Sequence, residues 1–472
     1  MAFSQRHAPV RDEPVFLTPS EAGIVAQTTL LIIFSSWALG STRTWAQDGL
    51  VGIVALGVGP TLLRWRERGA VPWRGFLPAL LWLGFVTLAL FNPSHTPGLR
   101  GEWLPRAEWI RWLPTTVDPA RTFADARLWF AALVQGGFLS ACLRRDRAVQ
   151  ILWGAIALNG FLLAALGACF HFAGAEQVLG FVDAPEPTYF FATFFYKNHW
   201  AAYGALTTVM ALALVLRRGP AARAGQPTAR GQMLLFGGAG LMTAVTLPLP
   251  GSRAGLLLAT IIVIVFLPLI FFGNWRRSRG GSRRWPIPAA LALVAIILGF
   301  GLHAYAPRSQ IDLARTQQQF EKSRAGDALD VRLLLSRDTW RMAQTRLIWG
   351  WGPGCFEIVF PLYQGNSLRD STGRSAVRFE AAHNDWLQLL AECGLVGAGL
   401  LLASAAMAGW QACQRAELAG RAALMGCGLI AVYAWIDFPF HNPAVLMLWT
   451  VLLTTAAQLR SHRHPPPQFS SG

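Results

Sequence analysis

The sequence predicts an all-α polytopic membrane protein of about twelve transmembrane helices, with a long extramembrane loop between the ninth and the tenth. Three observations carry that expectation. Of 472 residues, 53% are hydrophobic and only 14% charged, against roughly 25% charged in an average soluble domain. Apolar runs of about 20 residues, the length that crosses a bilayer, recur along the whole chain. The basic residues gather in alternate connectors between those runs, as membrane topology requires. The same figures exclude a soluble globular enzyme and a disordered chain. They also make the lipid bilayer the expected partner and leave no role for nucleic acid.

The expected spans lie near 22–40, 48–64, 75–91, 125–143, 149–172, 194–216, 232–250, 254–273, 287–306, 386–408, 421–438 and 443–459. Charge tests the count. The net charge is +16, and only Lys197 and Lys322 among the 41 basic residues are lysines. With the N-terminus taken as cytoplasmic, the inside connectors and the two tails hold 22 arginines, whereas the short outside connectors hold only Arg43, Lys197 and Arg253. An even number of spans with both termini cytoplasmic follows. The polar N-terminal stretch lacks the pattern of a cleavable signal peptide, and the six cysteines suggest no disulfide framework.

Two outside segments are long. Residues 92–124 place Trp103, Trp109 and Trp112 among arginines, as suits an amphipathic stretch at the membrane surface. Residues 307–385 form the largest extramembrane segment. Within it, 328–346 reads as an amphipathic helix, and the Gly and Pro of 349–354 mark a turn.

Four places stand out from the apolar background. Lys197, Asn198 and His199 open the sixth span at its outer end, where a snorkelling lysine among interfacial aromatics explains them as well as an anionic headgroup site does. Arg253 sits in the tight connector PGSRAG at the start of a span, where helix amides and a guanidinium suit an anion; an anchoring arginine is the simpler alternative. The loop helix carries Arg332, Arg337, Arg341 and Arg346, of which most are expected to be solvated and one or two to turn inward. Finally, His383 and Asn384 top a polar stripe of Asp385, Gln388 and Glu392 that enters the tenth span. Glu392 falls nine residues past His383, about 13 Å along a helix, and an ionisable group at that depth points to function. No nucleotide-binding fingerprint, zinc spacing or paired outer carboxylates occur, and Glu392 and Asp437 read as isolated, so neither a cofactor nor a metal is expected.

In this order these residues resemble the O-antigen ligase/polymerase family, the membrane proteins that handle undecaprenyl-linked glycans. The likeness is best over about 190–400. ATFFYKNHWA (192–201) is similar to the family's G-x-F-x-N-x-N-x-x-A, with Ala192 and Tyr196 departing from it. GSRAG resembles its Ser-Arg-x-Gly connector, and Arg332 to Gly352 resembles its Arg-x-x-x-W…G-x-G pattern, with Ser336 and Arg346-Leu347 departing. His383, Asn384, Leu387, Glu392 and Gly394 follow its HN-x-x-L…E-x-G run.

The resemblance implies a GT-C-like glycosyltransferase of the bacterial inner membrane with its active site on the periplasmic face. It would pass a glycan from undecaprenyl pyrophosphate to an acceptor hydroxyl, with inversion and without a metal. Arg253 and Arg332 match the arginines that hold the pyrophosphate, and His383 matches the catalytic histidine. Lys197, Asn198, His199, Arg337, Asn384 and Glu392 are expected to bind or support substrate. A ligase using a lipid A-core acceptor and a polymerase using another lipid-linked glycan both fit. The expected organisation is a tail (1–21), an N-terminal helical part (22–189, with the periplasmic loop 92–124), an O-antigen ligase-like core (190–408, with the loop 307–385), two C-terminal helices (409–459) and a tail (460–472). The competing class is a transporter of a small anion or a lipid-linked sugar. Polar residues gathered at one face, rather than on broken helices at the midplane, weigh against it.

Overall fold

In the computed structural model the described residues are 16–70, 73–98, 102–185, 189–275, 328–365, 368 and 378–459. They form a helical bundle: α1 (Pro19–Trp37), α2 (Thr44–Ala55), α3 (Val58–Arg68), α4 (Leu77–Phe91), α5 (Pro119–Cys142), α6 (Asp146–Phe172), α7 (Lys197–Arg223), α8 (Pro227–Thr246), α9 (Arg253–Trp275), α10 (Ala328–Thr345), α11 (Phe356–Val359), α12 (Asp385–Arg415), α13 (Leu418–Tyr433) and α14 (Pro443–Ala456). Two short antiparallel hairpins, 95–97 with 103–105 and 177–178 with 182–183, decorate the connectors.

Among the described residues four helices are long and apolar enough to cross a membrane, Thr44–Arg68, Asp146–Phe172, Lys197–Ala222 and Asp385–Arg415, and four shorter apolar helices accompany them. The span expected at 287–306 and part of the loop after it lie outside the described residues. The expected second span is bent, because α2 and α3 meet at Leu56 and Gly57. Among the described residues of 92–118 no helix forms. Instead a hairpin folds back and Arg346 is held between the rings of Trp109 and Trp351, 4.7 and 3.8 Å from their centres. That cation–π sandwich ties the connector before α5 to the one after α10.

Nearly all of α7 is buried, which makes it the axis of the bundle, with α6, α8, α9, α13 and α14 around it. Hydrophobic burial does not distinguish a helix neighbour from lipid, so polar pairs supply specificity between the helices. Asn159 of α6 receives the Trp37 indole N–H at 2.8 Å and donates to Ser36 and Tyr203 at 3.0 Å each. Gln27 of α1 and Gln135 of α5 bond each other at 3.0 and 3.2 Å.

The largest departure from expectation is in α12. At Gly394 the backbone leaves the helix, with φ 62° and ψ −173°. The groups this frees are taken up by the turn and loop at 347–352, after α10. Leu395 N–H donates to the Leu347 carbonyl at 2.8 Å and Val396 N–H to that of Ile348 at 3.2 Å, while Trp351 and Gly352 N–H donate to the carbonyls of Ala391 and Glu392 at 3.1 and 2.8 Å. Gly350 and Gly352 have φ of 75° and 107°. A Cβ at Gly350 would strike the Glu392 carbonyl, and one at Gly394 the Ile348 carbonyl. The two glycine motifs are therefore the two sides of one backbone junction.

This junction moves the polar stripe. Leu395–Arg415 is 21 residues long, roughly 31 Å at 1.5 Å per residue, and crosses a bilayer by itself. Leu395, Leu402, Met407 and Trp410 are exposed along it, as lipid contact requires. Residues 385–393 instead pack against α10 and the loop around Phe356. Glu392 therefore sits against folded loop rather than deep in lipid.

Candidate active site

The site forms where the first turns of α7, α9, α10 and α12 meet the connector 434–442. At its centre is Asp437, buried to 2% side-chain exposure. An unpaired carboxylate there would be prohibitively costly, and this one is surrounded by donors. Its Oδ2 accepts from Asn198 Nδ2 at 2.6 Å and from the Tyr433 hydroxyl at 2.7 Å, and its Oδ1 accepts from the Phe438 N–H at 3.0 Å. Two cationic or titratable groups stand further off: Arg332 Nη2 at 3.8 Å and His383 Nδ1 at 3.5 Å. Burial pushes the Asp437 carboxyl up, but His383, Tyr433 and Arg332 together outweigh it and hold the group below the usual carboxylate range.

Asn198 fixes the geometry between helices. Besides Asp437 it donates to the Tyr196 hydroxyl at 2.8 Å, and its own carbonyl oxygen accepts from Ser252 Oγ at 2.7 Å. Ser252 in turn caps α9 by accepting from Gly255 N–H at 2.9 Å. Arg253, the next residue, is exposed at the first position of that helix. The Ser-Arg pair thus splits its work, serine tying the connector to Asn198 and arginine facing outward.

His383 adopts φ 52°, a left-handed conformation that costs a non-glycine residue energy and is concentrated at functional sites. Asn384 after it caps α12 by accepting from Leu387 N–H at 3.0 Å. The imidazole stands edge-on to Phe438, 4.7 Å between centres, and its buried Nδ1 lies 3.5 Å from the Asp437 carboxylate without a hydrogen-bond partner among the described residues. His199 lies edge-on to the same phenyl ring at 5.1 Å and to Tyr196 at 5.0 Å. Lys197 places its ammonium 4.6 Å from the centre of the Tyr189 ring.

Beneath this cluster, Asp385 clamps the connector onto α12. Its carboxylate accepts from Phe440 N–H at 2.8 Å and contacts His441 Nδ1 at 2.5 Å, while its own N–H donates to the Ala434 carbonyl at 2.9 Å. Burial lowers the His441 pKa, but the Asp385 charge more than offsets this and raises it to about 9. Asp125, Trp129, Asp385, Trp386, Glu392 and His441 line a neighbouring cleft.

The structure brings His383, Arg332, Asn198 and His199 together around Asp437 and Phe438, with Lys197 and Arg253 on adjacent first turns. Two expected residues lie apart. Arg337 donates to the neighbouring Asp338 at 3.2 Å, which Arg341 and the Gly365 N–H also contact. Glu392 accepts from Phe356 N–H at 2.9 Å and Gln388 Nε2 at 3.3 Å, holding the loop. Neither Glu392 nor Asp437 is isolated, contrary to the reading from spacing. Asp437, Ser252, Tyr433 and His441 were not singled out as site residues. The run of apolar residues through Phe438 absorbed Asp437 into a span, whereas α13 ends at Tyr433 and leaves Asp437 in the connector to α14, beside His441.

The fold is that of a membrane protein, a bundle of apolar helices with an imidazole, a buried carboxylate and guanidinium groups gathered at one end. Residues 238–402 match the family model described as O-antigen ligase, so this part of the chain is similar to the O-antigen ligase/polymerase family. The match includes Arg253, Arg332, His383, Asn384 and Glu392. It leaves out Lys197, Asn198, His199 and Asp437, which the fold adds to the site from either side. No curated protein matches the chain.

Proposed function

We propose that this protein transfers a glycan from undecaprenyl pyrophosphate to an acceptor hydroxyl at the periplasmic face of the bacterial inner membrane, as an inverting glycosyltransferase of the GT-C type. The observation that carries this reading is the Asp437 cluster. One buried carboxylate stands 3.5 Å from His383 Nδ1 and 3.8 Å from Arg332, at the membrane end that carries the outer loops.

The donor already holds a good leaving group at C1, so the enzyme must meet the charge that develops on it and take a proton from the acceptor. Arg332, with 40% of its side chain exposed, and Arg253 on the neighbouring helix turn present guanidinium forks to the pyrophosphate. Their hydrogen bonds strengthen as the bond from C1 to the phosphate oxygen breaks. His383 is the base. Asp437 holds its Nδ1 side, and the other ring nitrogen accepts the proton of the hydroxyl that attacks C1. The new glycosidic bond forms on the opposite face of C1, the configuration inverts, and undecaprenyl pyrophosphate departs with the bonding electron pair. Lys197 and His199 assist at the pyrophosphate, Asn198 and Asn384 hold the frame, and Glu392 supports the loop against α12.

The transporter reading gains one supporting observation, since α12 is a discontinuous helix. Transporters leave such unwound groups to coordinate cargo. Here four of the freed groups are bonded to 347–352.

The test is transfer by purified protein given undecaprenyl-pyrophosphate oligosaccharide, with or without lipid A-core. Transfer to lipid A-core means a ligase, and ladders without it mean a polymerase. Retained anomeric configuration contradicts single displacement. Uptake of the glycan lipid into vesicles with no covalent product would replace this reading by transport.

A further inference from the structure

The cleft beside the Asp437 cluster takes no part in the chemistry at C1. Asp125 and Trp129 of α5, Trp386 of α12 and His441 of the connector to α14 line it, together with Asp385 and Glu392. Asp125 lies in the second turn of α5, so the cleft is at the loop end of the bundle. One phenyl ring joins it to the candidate active site: Phe438 stands edge-on to His383 at 4.7 Å between centres and to His441 at 6.0 Å.

Two of the three carboxylates in the cleft are engaged in holding the fold. Asp385 accepts from Phe440 N–H and holds His441 Nδ1, and Glu392 accepts from Phe356 N–H and Gln388 Nε2. Asp125 makes no hydrogen bond among the described residues. Neither does His441 Nε2, on a side chain that is 31% exposed. The cleft therefore offers a carboxylate that accepts and an imidazole N–H that donates, between two indoles.

That combination selects among ligands. A metal cation needs several carboxylates with free oxygens and would meet the His441 imidazolium. An inorganic anion would meet the Asp125 carboxylate. A hydroxyl both donates and accepts, so a polyhydroxylated ring satisfies Asp125 and His441 together while its C–H face covers an indole.

We infer that this cleft is a sugar-binding subsite, with Asp125 and His441 as its polar contacts and Trp129 and Trp386 as its walls, and that it holds the glycan whose hydroxyl is presented to His383. That the bound ring belongs to the acceptor rests on the glycan-transfer reading; that the cleft takes a sugar does not. Its place suits the reaction. Inverting displacement needs the acceptor on the face of C1 opposite the departing phosphate, and Arg253 and Arg332 lie on α9 and α10, whereas α5, α12 and α14 build the cleft.

Two measurements on the purified full chain test it: transfer kinetics at varied acceptor concentration, and saturation-transfer NMR with core and repeat-unit oligosaccharides freed of lipid. Asp125→Asn should raise the acceptor KM about tenfold, the loss of one hydrogen bond to a charged group, with kcat within about threefold. Trp129→Leu should do the same, and Trp129→Phe should keep most of the affinity. Both Asp125→Asn and Trp129→Leu should lose saturation transfer to the oligosaccharide. Asp48→Asn, which removes an exposed carboxylate paired with Arg127 outside the cleft, should behave as wild type. An unchanged acceptor KM in Asp125→Asn and Trp129→Leu, a loss confined to kcat, or saturation transfer that survives in both overturns the subsite. If wild type transfers no glycan but binds the oligosaccharide through Asp125 and Trp129, the sugar site stands and the transferase reading falls. Neither transfer nor binding by wild type overturns both.

Discussion

At the end of the bundle away from the loops, Arg217 is held from two sides, by Asp146 at 2.5 Å and Glu417 at 2.6 Å, and keeps only 19% of its side chain exposed. At the loop end, Arg332 reaches Asp437, its nearest carboxylate among the described side chains, only at 3.8 Å and keeps 40% exposed. The residue type is the same, and the partners differ. Arg217 closes a three-helix clamp between α7, the start of α6 and the start of α13. Arg332 stands beside a carboxylate that already accepts from Asn198, Tyr433 and the Phe438 N–H, and its own fork stays 40% exposed. Positive charge in this membrane protein therefore does two jobs, and the partners of each arginine tell them apart.

The largest effects that separate the two ends should come from the site itself. Arg332→Ala and His383→Ala should each lower the transfer rate about 10²–10³-fold, with Arg332→Lys recovering little because an ammonium lacks the fork. Arg217→Ala should instead lower the melting temperature while leaving the rate per folded molecule within about threefold. An Arg217→Ala protein that folds and is as inactive as Arg332→Ala would erase the contrast. Asp437→Asn should cost about 10²-fold in kcat with a smaller change in KM, because the lost charge orients and balances His383. Tyr433→Phe, which removes one of several donors to that carboxylate, should cost only a few-fold.

Smaller effects probe the frame. Gly350→Ala and Gly394→Ala each place a methyl group against a carbonyl at a left-handed position. Thermal unfolding should show a loss of about 1–3 kcal/mol or more, with Gly399→Ala, on an open face of the same helix, as the neutral comparison. The Asp385–His441 clamp carries a pH signature. The folded His441 pKa of about 9 stands above the ordinary value of 6.5, so its stabilisation is complete below pH 6.5 and fades as pH rises through 9. The melting temperature should fall across that window, and His441→Gln should flatten the fall. Arg337→Ala, whose guanidinium is spent on Asp338, should change the rate least.

Local signals made much of this legible. The loop helix over 328–345, the glycine turn after it and the start of α12 beside His383 all follow from periodicity and punctuation within a few residues of each other. Arg253 at a helix start is equally local. What spacing did not reveal depends on contacts between distant segments. Asn198 and Asp437 are 239 residues apart, and nothing near either residue signals the other. Glu392 reads as deep in the bilayer only while α12 is taken as continuous. The break at Gly394 exists because 347–352 supplies its hydrogen bonds, so the depth of Glu392 was settled by a segment about 40 residues away. Asp437 was hidden by apolar neighbours that continue its helix in composition but not in conformation.

The most direct test of the central claim, that His383 and Asp437 act as one unit at the loop end, is a double-mutant cycle on the transfer rate. His383→Ala, Asp437→Asn and the double variant would be compared in the reconstituted assay. If Asp437 works through His383, the double variant should be no slower than His383→Ala alone. Losses that multiply would mean that the two residues act independently and that this pairing is not the catalytic base.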